Sequence, residues 1–154
     1  MKSINSKNKL LEIEKKIKKN LKFDPQNINL FFNLGNLQIQ LNKIDEAKKN
    51  FKKIISLKPD FINSYFNLAV IHYKTGEFND SEFFFLKTIE LKNNYVQAYY
   101  GLGNVQIKLG KLVEAENNFK KAISLKPDYV DAHNNLGVVL KELKKIDEAE
   151  NAYS

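Results

Sequence analysis

The sequence predicts an all-α array of helical hairpins, an α-solenoid. Three observations carry the prediction. The segment Ile54-Ile55-Ser56-Leu57-Lys58-Pro59-Asp60-Phe61 returns as Ala122-Ile123-Ser124-Leu125-Lys126-Pro127-Asp128-Tyr129, an offset of 68. Half-way between them stands Thr88-Ile89-Glu90-Leu91-Lys92-Asn93-Asn94-Tyr95, and one step upstream stands Asn20-Leu21-Lys22-Phe23-Asp24-Pro25, so the period is 34. Within each period apolar residues recur every three or four positions, the spacing of amphipathic helices. The 154 residues contain only 6 Gly and 3 Pro, too few punctuators for a sandwich or barrel of short strands.

The elements follow in order. Residues 1–7 read as a flexible basic tail. Residues 8–24 read as a capping helix with Leu10, Ile13, Ile17 and Leu21 on one face and lysines on the other. In register this helix is the second half of a hairpin, so it should pack on Phe31 and its neighbours. Three full repeats follow at 28–61, 62–95 and 96–129, and a fourth, 130–154, stops inside its second helix. In the first repeat, Phe31, Leu34 and Leu41 mark one helix, and Ile44, Ala47, Phe51, Ile54 and Leu57 mark the next.

Asn42, Gly76 and Gly110 stand where each first helix should stop, because they tolerate the left-handed cap; Lys144 takes that column in the fourth repeat and suits it less well. Pro59 and Pro127 end second helices. The columns Gly35/Ala69/Gly103/Gly137 and Ala47/Ser81/Ala115/Ala149 are small, so paired helices approach closely. A large residue there should overpack the hairpin by about 1–3 kcal/mol. A single repeat cannot offset the entropy of its own ordering and needs its neighbours. Ile146, Ala149 and Tyr153 begin a helix that ends at Ser154. An end of this kind exposes core, so the sequence reads as a fragment of a longer protein or as a chain that covers that end by self-association.

Composition narrows the chemistry. There is no Cys, which removes disulfides, thiolate metal sites and thiol nucleophiles. All 25 basic residues are Lys, so the bidentate forks of Arg are absent. The net charge of +7 is concentrated in residues 1–22, with 8 Lys against 2 Glu; the remainder is nearly neutral. That helix lacks interleaved aromatics for base stacking, and a solubilising cap explains it better than specific nucleic-acid binding. No apolar run approaches the ~18 residues of a membrane span. No signal-peptide pattern is visible at the start, and the expectation is a soluble, cytoplasmic chain.

Enzyme chemistry is poorly supplied. His72 and His133 lie 61 residues apart, each in a column that is aromatic or apolar in other repeats. Both read as packed or partly buried rings. Asp45/Glu46 and Asp147/Glu148 open helices, where the helix dipole accounts for them. No phosphate loop, nucleophile elbow or metal-ligand spacing appears. The expectation is no catalysis, no metal and no cofactor.

The repeated residues resemble the tetratricopeptide repeat (TPR). Phe31-x2-Leu34-Gly35, Ala47-x3-Phe51 and Pro59 match its pattern, as do Tyr99-x2-Leu102-Gly103, Ala115-x3-Phe119 and Pro127. The second repeat departs with Ala69, Ser81 and Asn93. Gln38, His72, Gln106 and Leu140 replace the usual Tyr. The resemblance covers 10–153 and implies a right-handed solenoid whose first helices line a concave groove for an extended peptide or a partner helix.

Carried over, that groove is lined by Asn29, Phe32, Asn33, Asn36, Asn63, Phe66, Asn67, Lys74, Tyr100, Asn104, Lys108 and Asn135. A ladder of Asn at Asn33, Asn67 and Asn135, interrupted by Gly101, can pair with peptide backbone whatever its side chains. Similar ladders occur in TPR domains of nucleocytoplasmic O-glycosyltransferases. Solvated Asn in a chain with 20 of them is the competing reading. Asn36 and Asn67 match the Asn of co-chaperone TPRs that grip a C-terminal carboxylate, but Phe32, Gln97 and Gly101 put no cation beside them, so no such clamp is expected. Phe32, Phe66 and Tyr100 form an aromatic lane with Lys74 and Lys108 at one rim, suited to an apolar, mildly acidic segment, unless those rings pack sideways between repeats.

Phe83, Phe84 and Leu86 replace Lys and Asn at outer positions of a second helix and suggest a convex protein interface, including self-association. The function expected is a non-catalytic protein-interaction scaffold. The alternative is the N-terminal substrate-recruiting TPR segment of a larger glycosyl- or sulfotransferase.

Overall fold

The computed structural model describes the backbone of residues 2–153 and the side chains of 7–145. Among the described residues the chain is an all-α solenoid of helical hairpins: α1 (Lys2–Phe23), α2 (Ile28–Gln40), α3 (Ile44–Leu57), α4 (Ile62–Lys74), α5 (Phe78–Leu91), α6 (Val96–Lys108), α7 (Leu112–Leu125) and α8 (Val130–Tyr153). It divides into two compact units, Met1–Ile71 and His72–Ser154. Helix α1 begins at Lys2, so the stretch expected as a tail at 1–7 overlaps it; of that stretch, only the side chain of Lys7 lies within the described set.

Each turn inside a hairpin repeats one device. Asn42, Gly76 and Gly110 take φ of 58°, 78° and 73°, the left-handed region. The next residue then turns its N–H back onto the helix: Lys43 to the carbonyl of Gln38 at 2.8 Å, Glu77 to His72 at 2.9 Å, Lys111 to Gln106 at 2.8 Å. These bonds satisfy carbonyls that the helix end leaves open. At the same column Lys144 does not turn. The second helix expected to begin near Ile146 does not separate, and α8 runs unbroken from Val130 to Tyr153. A β-carbon makes the left-handed conformation costly, and Lys lacks the short polar side chain that makes it tolerable for Asn. The side chains of Ile146, Ala149 and Tyr153 lie outside the described set.

The connections between repeats also recur. Tyr65 Oη donates to the carbonyl of Pro59 at 2.9 Å, and Tyr99 Oη donates to that of Asn93 at 3.0 Å. His133 Nε2 reaches the carbonyl of Pro127 at 2.9 Å, so the ring does the work of the tyrosine hydroxyl. His133 is exposed rather than partly buried, whereas Phe31, Tyr65 and Tyr99 in the same column are half-buried. Lys58, Lys92 and Lys126 sit over Phe61, Tyr95 and Tyr129 at 6.0, 5.6 and 5.3 Å from the ring centroids.

The core is built as the periodicity predicts. In the first unit Leu34, Ala47, Phe51, Ile54 and Leu68 are buried. In the second, Ala115, Phe119, Ala122, Ala132 and Val139 form the buried cluster, with Leu136 packed against it. Phe51 and Phe119 press on the backbone of the facing helix: a β-carbon at Gly35 would lie 2.8 Å from Phe51 Cζ, and one at Gly103 would lie 2.7 Å from Phe119 Cε1.

Candidate functional site

The Asn positions on the first helices assemble into pairs. In the first unit Asn67 Nδ2 donates to Asn36 Oδ1 at 3.0 Å, joining α4 to α2. In the second, Asn135 Nδ2 donates to Asn104 Oδ1 at 2.7 Å and to Tyr100 Oη at 3.3 Å, joining α8 to α6. Both pairs span 31 residues, so the third-turn Asn of one first helix meets the second-turn Asn of the following first helix. All four are half-buried. Asn29, Asn33 and Asn63 are exposed on the same helices, as are Lys74 and Lys108 near their C-terminal ends.

Gly101 interrupts the Asn column for a packing reason. The ring of Phe85 occupies the space that its β-carbon would need. In the first and third repeats the equivalent rings, Phe51 and Phe119, lie over Gly35 and Gly103.

The aromatic positions are not an open lane. Phe32 meets Phe51 edge-on at 5.9 Å and Phe61 at 5.5 Å. Tyr100 packs on Phe119 at 5.9 Å and Tyr129 at 4.9 Å. Phe32, Phe66 and Tyr100 are half-buried. Aromatic edges and faces attract each other at these spacings, which holds Phe32 and Tyr100 against their neighbours. Burial raises the hydroxyl pKa of Tyr129, and the nearby Tyr100 and Asp131 raise it further.

Sequence reasoning missed a second set of polar contacts. Glu14 is 3% exposed, yet it accepts from Lys43 Nζ at 2.6 Å, Lys18 Nζ at 2.7 Å and Gln38 Nε2 at 3.3 Å. Burial pushes its carboxyl pKa up, but the hydrogen bonds from Lys18, Lys43 and Gln38 outweigh it and hold it at about 2. Gln38 is itself buried, accepts from Asn50 at 2.6 Å and donates to Glu46 at 2.9 Å. Sixty-eight residues on, the set recurs: Lys111 donates to Glu82 at 2.6 Å, Gln106 to Glu82 at 3.4 Å and Asn118 to Gln106 at 2.7 Å. The intermediate repeat carries different chemistry in the same columns, with Lys48 for Glu, His72 for Gln, Glu77 for Lys and Phe84 for Asn. The signal was present in the sequence, since these columns repeat at 68 rather than 34.

A doubled period also marks the family match. The TPR repeat family model matches residues 35–76 and again 103–144. The chain belongs to the tetratricopeptide repeat family. A second TPR model, described as Tetratricopeptide repeat, matches 62–95. No curated protein matches the chain. Among solved structures it is similar to MamA, with 26% identity over 96% of this chain and 86% of that one, TM-score 0.84. It shares its fold with the first TPR of Spaghetti (RPAP3) bound to HSP90 peptide SRMEEVD, at 24% identity over 77% of this chain and 94% of that one, TM-score 0.74. It also shares its fold with YrrB, a TPR protein with an unusual peptide-binding site, at 20% identity over 86% of this chain and 69% of that one, TM-score 0.75.

The outer TPR positions on α5 divide. Phe83 and Leu86 are about half exposed, at 52% and 49%. Phe84 turns inward and stacks on His72, with ring centroids 5.2 Å apart and planes inclined by 16°. Among the described residues no helix is long and apolar enough to cross a membrane.

Proposed function

We propose that this TPR chain is a non-catalytic protein-interaction scaffold that holds an extended peptide or a partner helix on the first helices of its repeats. The Asn pairs carry the reading. An Asn amide has two N–H donors and an oxygen acceptor. The Asn67–Asn36 bond uses one donor and one oxygen. Asn36 keeps its amide N–H groups and Asn67 its oxygen, the complement of one peptide bond. The Asn135–Asn104 pair has the same composition. Pairing also fixes the Asn rotamers, so these side chains lose less freedom when a peptide binds.

The fold supports peptide as the class of partner to try first. The Spaghetti TPR was solved with an HSP90 peptide, and YrrB has a peptide-binding site. Exposed Lys74 and Lys108 favour acidic character in the partner, and the half-buried rings of Phe32, Phe66 and Tyr100 favour apolar side chains. Phe32, Gln97 and Gly101 bring no cation to the clamp columns, which favours an internal segment over a free C-terminal carboxylate.

The test is selection of peptides from a displayed library on the intact chain, followed by titration against Asn67→Ala with Asn135→Ala. Losing these hydrogen bonds should weaken binding roughly tenfold while circular dichroism stays unchanged. Equal affinity for the variant would remove this face from the reading.

A further inference from the structure

We propose that His72, Glu77 and Asp80, at the α4–α5 turn, form a binding site for a divalent transition-metal ion. One ligand atom from each residue lies within 4.8 Å of the others. Glu77 Oε2 is in hydrogen-bond contact with His72 Nδ1, and Asp80 Oδ2 is 3.8 Å from the same nitrogen. One imidazole nitrogen and two carboxylates make a donor set suited to Zn2+ and its neighbours rather than to Ca2+ or Mg2+, which take oxygen alone.

The turn holds the donors in place. Glu77 N–H and Thr75 Oγ1 both donate to the carbonyl of His72, at 2.9 and 3.2 Å. Gly76 in the left-handed region closes the loop. Phe84 stacks on the imidazole and fixes its plane. The His72 side chain is 6% exposed, while Glu77 and Asp80 are 42% and 66% exposed, so water can complete the coordination from one side. The carboxylates also outweigh the positive end of the α5 dipole.

Among the repeats the arrangement is particular to this turn. Gln38 and Lys43, or Gln106 and Lys111, fill the same two columns elsewhere, and neither set can bind a cation. Two features limit the affinity. A metal at Nδ1 sends the ring proton to Nε2, which is buried without a hydrogen-bond partner. Glu77 also has another interaction that a cation would share or displace. Both features lower the affinity of the site.

The test is calorimetric titration of the intact chain with zinc chloride, beside His72→Gln, Asp80→Asn and His133→Asn. Gln stands at the His72 column in two repeats, so His72→Gln is compatible with the fold. The expected result is binding with one-to-one stoichiometry, weakened about tenfold or more in His72→Gln and Asp80→Asn and unchanged in His133→Asn. Zinc should also raise the melting temperature of the parent and not of His72→Gln. No heat of binding, or equal binding by His72→Gln, would overturn the proposal.

Discussion

Glu14 and Lys43 are joined by a 2.6 Å ion pair, and the two residues 68 positions further on, Glu82 and Lys111, are joined at the same distance. In each case an acid on one second helix meets a lysine at the turn of the next hairpin. Gln38 and Gln106 complete the sets from the intervening first helices. Each carboxylate thus has at least two donors, the condition under which a buried charge such as Glu14 is tolerated.

Reversing one partner should be costly and reversing both should restore much of it. Lys43→Glu leaves two carboxylates together and should destabilise by about 3 kcal/mol. Glu14→Lys with Lys43→Glu should recover part of that loss. Urea unfolding of the four species in the cycle measures the coupling, and additive effects would show the pair to be incidental.

Acid should loosen the same contact. The Glu14 carboxyl is held at about 2, below its ordinary value of 4.5. A depressed carboxyl contributes stability that is fully present above the unfolded value and is lost as pH falls from about 4.5 towards 2. The contribution is about 2 kcal/mol, less than the shift alone implies, because Lys18 is half exposed and screened by water. Glu14→Gln should flatten the acid limb of a stability-versus-pH curve while leaving the Glu82 set intact.

Glycines in the same repeat column should respond in opposite directions. Gly35→Ala drives a β-carbon to 2.8 Å from the fully buried ring of Phe51, and Gly103→Ala does the same against Phe119. Each should cost about 1–3 kcal/mol. Gly137 has nothing within 4 Å and is exposed on α8, so Gly137→Ala should stabilise by about 0.5–1 kcal/mol through helix propensity. Thermal unfolding of the three variants decides it.

Phe83 and Leu86 should govern any self-association. Phe83→Lys with Leu86→Lys alters two half-exposed side chains; it removes the edge-on contact of Phe83 with Phe84 and keeps both Phe84 and His72, the members of the buried-side stack. If this face is an interface, sedimentation of the parent should show mass rising with protein concentration, and the double variant should remain at the monomer mass. A parent that stays monomeric across the range would remove the self-association reading.

The local pattern of the sequence determined the helices, their turns and the core. Period 34, apolar spacing and the left-handed residues Asn42, Gly76 and Gly110 are properties of short segments, legible without knowing what packs on what. Lys144 was legible as a departure, but its consequence needed the backbone, where α8 continues unbroken.

Tertiary structure decided the roles of polar side chains, because a hydrogen bond depends on which residues of distant segments meet. Asn36 could have been solvated or bonded until Asn67 was seen to donate to it. Phe32 could have been fully exposed until its ring was found against Phe51 and Phe61. Glu14 looked like one acid in a lysine-rich helix, and only packing revealed it as buried and held by three donors. Burial follows from periodicity, which the chain carries in its own order; pairing follows from geometry between helices, which it does not.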